Sequence, residues 1–128
     1  SVLVDEEVRV TKVSAAIDAG EVINPDGAIN QTEGGIIQSI SWALKEQLNF
    51  EGANVATETW LDYPILTFSE VPDIAVQLIE RPDDPPLGCA EAVQGPVVAA
   101  VSSAIHNAVG ARVTDMPFTR DKIITAMM

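Results

Sequence analysis

The 128-residue sequence is poor in basic side chains, in cysteine and in long apolar runs, and each scarcity excludes a class of protein. Seven Lys and Arg stand against 19 Asp and Glu, which gives a formal net charge of −12 at pH 7. Such a surface repels a phosphate backbone, so nucleic acid is not an expected partner. The apolar runs are far shorter than the roughly 20 residues that cross a bilayer, and no basic and apolar leader is present, so no membrane segment is expected.

Cysteine is represented by Cys89 alone. One thiol excludes a disulfide within the chain and a zinc or iron–sulfur site built from several thiolates of this chain. Thiol catalysis is the weaker hypothesis for Cys89. The only histidine, His106, lies in a predicted helix 17 positions later, and no third group is placed to orient the pair.

Apolar residues make up 47% of the sequence, enough for the core of a single domain over residues 1–128. Residues 8–17 predict one strand. Apolar residues spaced by three, four and seven predict a long helix over residues 27–46, with a start signal at Asn24 and Pro25. Residues 48–55 predict a hairpin, and residues 74–80 a further strand.

Two shorter helices are predicted in the carboxyl-terminal half. Prolines over residues 81–96 indicate an extended loop. Pro96 then opens a helix over residues 97–108 with Gly110 as its cap, and Thr119 caps a last short helix. The expected fold class is α+β, a mixed sheet with one long and two shorter helices packed on it.

The proline-rich loop contains Glu91 within a collar of small residues: Gly88, Cys89, Ala90 and Ala92. Small neighbours would let a bulky ligand approach the carboxyl group. We expect this acid to be buried and to act as a proton acceptor. The alternative is that Glu91 is one of 19 acids, most of them solvated, and composition alone favours that interpretation.

A second candidate cluster lies near the start of the long helix, in the segment NQTEGG of residues 30–35. Gln31 offers an amide with two donors and one acceptor, and Gly34 and Gly35 leave room for a flat ligand or for a neighbouring backbone. Paired glycines in a helix serve close packing more often than ligand contact, so both interpretations remain open.

Three stretches in fixed order point to a family: IDAGEVINPDGAINQTEGGIIQSISWAL (residues 17–44), TETWLDYPIL (57–66) and PPLGCAEAVQGPVVAAVSSAIHNAVGARV (85–113). Together they resemble the carboxyl-terminal part of the large, molybdopterin-binding subunit of the molybdenum hydroxylases, the xanthine oxidase and aldehyde oxidase family. The spacing from Glu91 to Ala104 and Ile105 is more similar to the branch of nicotinate dehydrogenase and the isoquinoline 1-oxidoreductase beta subunit. The resemblance implies a fragment of the molybdopterin-binding domain.

The resemblance also implies roles for the two clusters. Glu91 corresponds to the family's active-site glutamate, the general base beside the molybdenum. Gln31, in the family's Gln-x-Glu-Gly motif, would contact the pterin, and Gly34 and Gly35 would allow its approach. Gly88, Cys89 and Ala90 would also bind the cofactor. Many relatives read Gly-Val-Gly-Glu-Pro where this chain has Gly88-Cys89-Ala90-Glu91-Ala92, so the substrate class is not fixed.

Further implications concern cofactors and partners. The full subunit would hold molybdenum on molybdopterin, as the cytosine dinucleotide, with the metal held by the pterin dithiolene and not by Cys89. Iron–sulfur clusters would lie on a small partner subunit. The reaction would hydroxylate an N-heteroaromatic or aldehyde carbon with water-derived oxygen. Both the bacterial cytoplasm and the periplasm are compatible with this family.

By itself the chain is expected to be inactive and free of cofactor. It would pack against the remainder of its own large subunit, so in isolation it should expose apolar surface and self-associate. A hypothesis from another class is a small acidic α+β interaction module without a redox role, in which the loop around Glu91 is only a connector.

Overall fold

The computed structural model describes residues 1–4 and 7–128. Within these residues the chain forms six short strands and three α-helices. The expected α+β class, with one long and two shorter helices, is confirmed. The strands are β1 (Val2–Val4), β2 (Val8–Val10), β3 (Lys12–Ile17), β4 (Phe50–Glu51), β5 (Asn54–Val55) and β6 (Asp73–Leu78), and the helices are α1 (Pro25–Leu44), α2 (Gln94–Val109) and α3 (Arg120–Met127).

Both strand directions occur, but the strands form three two-stranded sheets in place of one mixed sheet. β1 and β2 are antiparallel, β4 and β5 form the expected hairpin, and β3 runs parallel to β6 from the pair Lys12 and Asp73 to the pair Ile17 and Leu78. The strand expected over residues 8–17 is divided at Thr11. Its N–H donates to the Ser1 carbonyl at 2.9 Å, whereas its carbonyl accepts from Asp73 N–H at 3.1 Å. The chain therefore changes strand partner at this residue.

The long helix α1 starts as its sequence predicts. The Asn24 side chain accepts a hydrogen bond from Gly27 N–H at 3.0 Å, and Pro25 occupies the first turn, where its missing N–H is not required. Ile36, Ile40 and Ala43 are fully buried on one face of the helix. That face forms the centre of the core.

Helix α2 begins at Gln94, three residues earlier than predicted, and contains Pro96 in its first turn. Gly110 ends it with a φ of 75°, and its N–H donates to His106 O at 2.8 Å. The predicted cap of α3 is confirmed, because the Thr119 side chain accepts from Lys122 N–H. Apolar side chains from the three helices meet in one core, the most buried being Ile36, Ile40, Ile105, Phe118 and Ile123.

A half-buried ion pair fixes the segment that follows α1. Lys45 donates to the carboxylate of Glu70, which belongs to the 3-10 turn Phe68–Glu70. The Lys45 hydrogen bond, helped by donors of Thr67, lowers the pKa of Glu70 to about 2. The pair therefore holds two opposite charges together throughout the neutral range.

Between this ion pair and the β4–β5 hairpin, large apolar side chains point into solvent. Trp60 is 80% exposed, Leu61 94% and Phe68 fully exposed. The apolar surface expected from the sequence is therefore present. No described helix is both long and apolar enough to cross a membrane.

Candidate functional site

The proline-rich loop, residues 79–93, is held against the loop that follows β3. Leu87 N–H donates to the Ala19 carbonyl at 2.8 Å, and Glu21 N–H donates to the Asp84 carbonyl at 3.1 Å. Arg81 also donates to Asp18 at 3.1 Å, and this hydrogen bond lowers the pKa of the Asp18 carboxyl. The loop around Glu91 thus has a fixed path although it forms no helix or strand.

Gly20 lies where these two loops cross. It is buried, and its φ of 65° is in the region that favours glycine. A Cβ atom at this position would lie 2.1 Å from the carbonyl oxygen of Pro85. Only glycine therefore allows the two backbones to approach this closely.

The structure brings the two predicted clusters together through Gln31. Its Nε2 donates to the carbonyl oxygen of Ala90 at 2.9 Å, across 59 residues of sequence. This bond orients the exposed Gln31 amide beside the residue that precedes Glu91. Its Oε1 has no hydrogen-bond partner among residues 1–4 and 7–128, so an acceptor remains free next to the carboxylate loop.

The two glycines of α1 have different environments. Gly35 is buried, and a Cβ there would lie 2.7 Å from Val93 Cγ2, immediately before α2. Gly34 is exposed, and nothing lies within 4 Å of its Cβ position. The packing interpretation applies to Gly35, whereas Gly34 leaves open space beside Gln31.

The expectation that Glu91 is buried is wrong for this chain, because its side chain is exposed. Gly88 and Ala90 are exposed as well, and nothing lies within 4 Å of the Cβ position of Gly88. The small neighbours that suggested burial are themselves too short to cover a carboxylate. Within the described chain no element packs over Glu91.

Cys89 differs from its neighbours because it is half-buried. It lines a cavity of about 350 Å³ that is also bounded by Ala19, Val22 and Leu87. This cavity lies on the side of the loop that faces Asn24 and the start of α1. The Cys89 side chain therefore lies on the side of its loop that faces the start of α1.

The sequence did not single out Gln94, the first residue of α2. Its Oε1 is buried and has no hydrogen-bond partner in the part of the chain that the structure describes. Its Nε2 lies 3.7 Å from the Cβ position of Gly35. Because residues 81–96 were expected to form a loop, this amide could not be placed beside α1 from the sequence.

These groups suit a polar organic ligand better than a bare cation. Gln31 presents an exposed amide beside the loop of Glu91, and open space adjoins Gly34 and Gly88. Over the described ranges, no cluster of three or more His, Cys, Asp and Glu could hold a metal ion. Amide and backbone groups are the contacts that position a flat heterocycle in a pocket.

The contrast between the two glycines is testable with matched variants. We expect Gly35→Ala to destabilise the fold by about 1–2 kcal/mol, because Val93 must move away from the added methyl group. Gly34→Ala should instead stabilise α1 by about 0.5–1 kcal/mol, since alanine is the better helix former. Urea unfolding of both variants measures the difference, and equal effects would refute the packing role of Gly35.

Comparison with known proteins places this arrangement in a family. A family model described as molybdopterin cofactor-binding domain matches residues 2–72. The chain is 43% identical over 121 residues to one of the subunits of nicotinate dehydrogenase from Pseudomonas putida, covering 94% of this chain and 10% of that protein. It is 34% identical to the beta subunit of isoquinoline 1-oxidoreductase from Brevundimonas diminuta, covering 88% and 14%.

A solved structure agrees with these similarities. The chain superimposes on quinoline 2-oxidoreductase from Pseudomonas putida 86 with a TM-score of 0.84 and 30% identity. The superposition covers 94% of this chain and 16% of that one. The chain thus spans about a tenth to a sixth of the length of these relatives. The resemblance seen in the sequence is confirmed, and the chain belongs to the molybdopterin cofactor-binding domain family.

Proposed function

We propose that this chain forms one wall of the molybdopterin site in a larger oxidoreductase subunit, with Glu91 as the general base. The observation that supports this most directly is the 2.9 Å hydrogen bond from Gln31 to Ala90. It joins the amide proposed to hold the cofactor to the loop that presents the acid. Two sequence motifs 59 residues apart thereby form one surface.

The cofactor contacts would come from both sides of this surface. Gln31 keeps its Oε1 available to a donor on the pterin, and Gly34 leaves space for the ring to approach α1. On the loop, the exposed backbone of Gly88 and Ala90 would face the same group, with Cys89 packing behind them.

When bound, molybdopterin supplies molybdenum and with it the two-electron chemistry of the reaction. The overall change replaces a substrate C–H bond by C–OH with oxygen from water, releasing two protons and two electrons. Glu91 would accept one of the protons, and general bases of this kind contribute about 10²- to 10⁴-fold in rate. Iron–sulfur clusters on a small partner subunit would receive the electrons.

The exposure of Glu91 is compatible with this role because other parts of the subunit would complete the pocket. They would exclude water around the carboxylate, which strengthens its interactions with substrate. We propose an N-heteroaromatic substrate, since the relatives described above are named for nicotinate, isoquinoline and quinoline. The cofactor form proposed is the cytosine dinucleotide.

The cofactor half of the proposal is tested by Gln31→Ala in the full-length subunit. We expect lower molybdenum content in the purified protein, because a pterin contact and the restraint on the Ala90 carbonyl are both lost. Gln38→Ala is the matched control, since Gln38 is also an exposed amide on α1, two turns further on. Metal analysis that finds equal molybdenum in the two variants would refute the contact.

The exposure of Glu91 is also what an acidic interaction module without redox chemistry would show. In that case the full-length protein would contain no molybdenum, and substitution of Glu91 would change no turnover. Metal analysis of the unmodified subunit separates the two hypotheses before any variant is made.

A further inference from the structure

Strand β3 has one paired edge and one open edge. The carbonyl groups of Thr11 and Ile17 accept hydrogen bonds from Asp73 and Ile79, at 3.1 and 2.9 Å. Backbone groups of successive strand residues point to opposite edges, so the odd-numbered residues of β3 face β6. Ser14 and Ala16 therefore direct their N–H and C=O groups to the other edge, where the described chain provides no strand.

At one end of this edge, Ser1 already pairs with the backbone of Thr11 and Lys12. The backbone nitrogen of Ser1 donates to the Lys12 carbonyl at 2.6 Å, and the Ser1 carbonyl accepts from Thr11 N–H at 2.9 Å. β1, which follows Ser1, runs antiparallel to β2, with Val2 opposite Val10. A segment that precedes Ser1 and continues the line of β1 would therefore run antiparallel to β3 and pass Ser14 and Ala16.

A groove lies along the same edge, between β3 and α2. Its volume is about 490 Å³, and its α2 side is lined by Pro96, Ala100 and Ala104 together with Val97 and Val101. Val2 and Val10 line its end beside Ser1. The lining is mostly apolar, which suits the alternate side chains of an added strand.

We propose that this groove is filled by a strand of the same polypeptide, the extended segment that leads into Ser1, paired antiparallel with β3. Such a strand would give partners to the open backbone groups of Ser14 and Ala16, and its alternate side chains would cover the apolar groove. It would also remove an exposed sheet edge, which otherwise invites pairing with other chains. The relatives are about six to ten times longer than this chain, so they contain the sequence needed.

This inference rests on the proposed placement of the chain in a longer subunit, but not on a catalytic role for Glu91. Amide hydrogen exchange of the full-length subunit, resolved to single residues, tests it. We expect the amides of Ser14 and Ala16 to exchange as slowly as those of Val13 and Ala15, which face β6. Exchange of Ser14 and Ala16 roughly 100-fold faster than their neighbours would overturn the proposal, because open backbone groups are not protected.

A second measurement identifies what covers the groove. In a Cys89→Ser background, Ala100→Cys in the groove should react slowly with a thiol reagent, and Ser103→Cys, exposed on α2 outside the groove, should react fast.

The two measurements together distinguish other occupants of the groove. Protection of residue 100 together with fast exchange at Ser14 would indicate a helix or a small molecule in the groove and would refute strand pairing. Concentration-dependent protection of these amides would point to a second copy of the chain and would also refute it. Turnover plays no part in either measurement, so failure of the proposed chemistry would leave these outcomes unchanged.

Discussion

Replacing Glu91 by glutamine in the full-length subunit is expected to lower turnover by about 10²- to 10⁴-fold while the molybdenum content stays normal. Glutamine has the size of glutamate and can still accept a hydrogen bond, but it cannot take a proton near neutral pH. Because Glu91 is exposed and makes no contact that fixes the loop, the substitution should leave the fold intact. Steady-state kinetics and metal analysis of the same preparation measure the two quantities.

Glu80→Gln is the matched control for this experiment. Glu80 is an exposed acid at the start of the proline-rich loop, and it is not part of the proposed site. The control removes the same charge from the same region, so a general electrostatic effect would lower the turnover of both variants equally. Near-normal turnover of the Glu91 variant would remove this residue from the chemistry.

The second large effect is expected at Gly20, where Gly20→Ala should destabilise the fold by about 3–5 kcal/mol. The added Cβ would lie 2.1 Å from the Pro85 carbonyl oxygen, which is backbone and cannot rotate away. The substitution also places a side chain at a φ of 65°, which costs about 1–2 kcal/mol. Relief of the contact requires the two loops to separate, with loss of the hydrogen bond from Leu87 to Ala19.

Gly52→Ala separates the two causes. Gly52 has nearly the same φ, 62°, but nothing lies within 4 Å of its Cβ position. The Gly52→Ala variant should therefore lose only the stability that the positive φ costs an alanine, about 1–2 kcal/mol. Chemical denaturation measures the free energy of unfolding of the two variants. If the Gly20 variant is as stable as the Gly52 variant, the two loops do not constrain each other.

The helices were predictable because their signals are local. Asn24, Pro25 and the apolar spacing that follows are contained in one segment, and the start of α3 is likewise indicated by Thr119. The division of the first long strand was not predictable. Thr11 binds Ser1 on one side and Asp73 on the other, and neither partner can be identified from the pattern of residues 8–17.

For the candidate site, the sequence indicated two segments, which the structure brings together, but not the direction in which their side chains point. Gly34 and Gly35 are adjacent, yet successive residues of a helix point about 100° apart, so one meets Val93 and the other meets open space. Glu91 shows the same limit more strongly. Whether a side chain is buried depends on what packs over it. Small neighbours in the sequence show only that these neighbours do not cover Glu91, and they do not show whether a distant segment does.

The bond between Gln31 and Ala90 bears on the order of assembly. Both of its partners belong to this chain, so the loop around Glu91 is held to α1 by the chain's own groups. A prosthetic group that arrives afterwards would meet a surface already in its final shape and would spend little free energy on ordering it. Under the proposed function, loading of the cofactor into the folded subunit would then need only an opening wide enough to admit it.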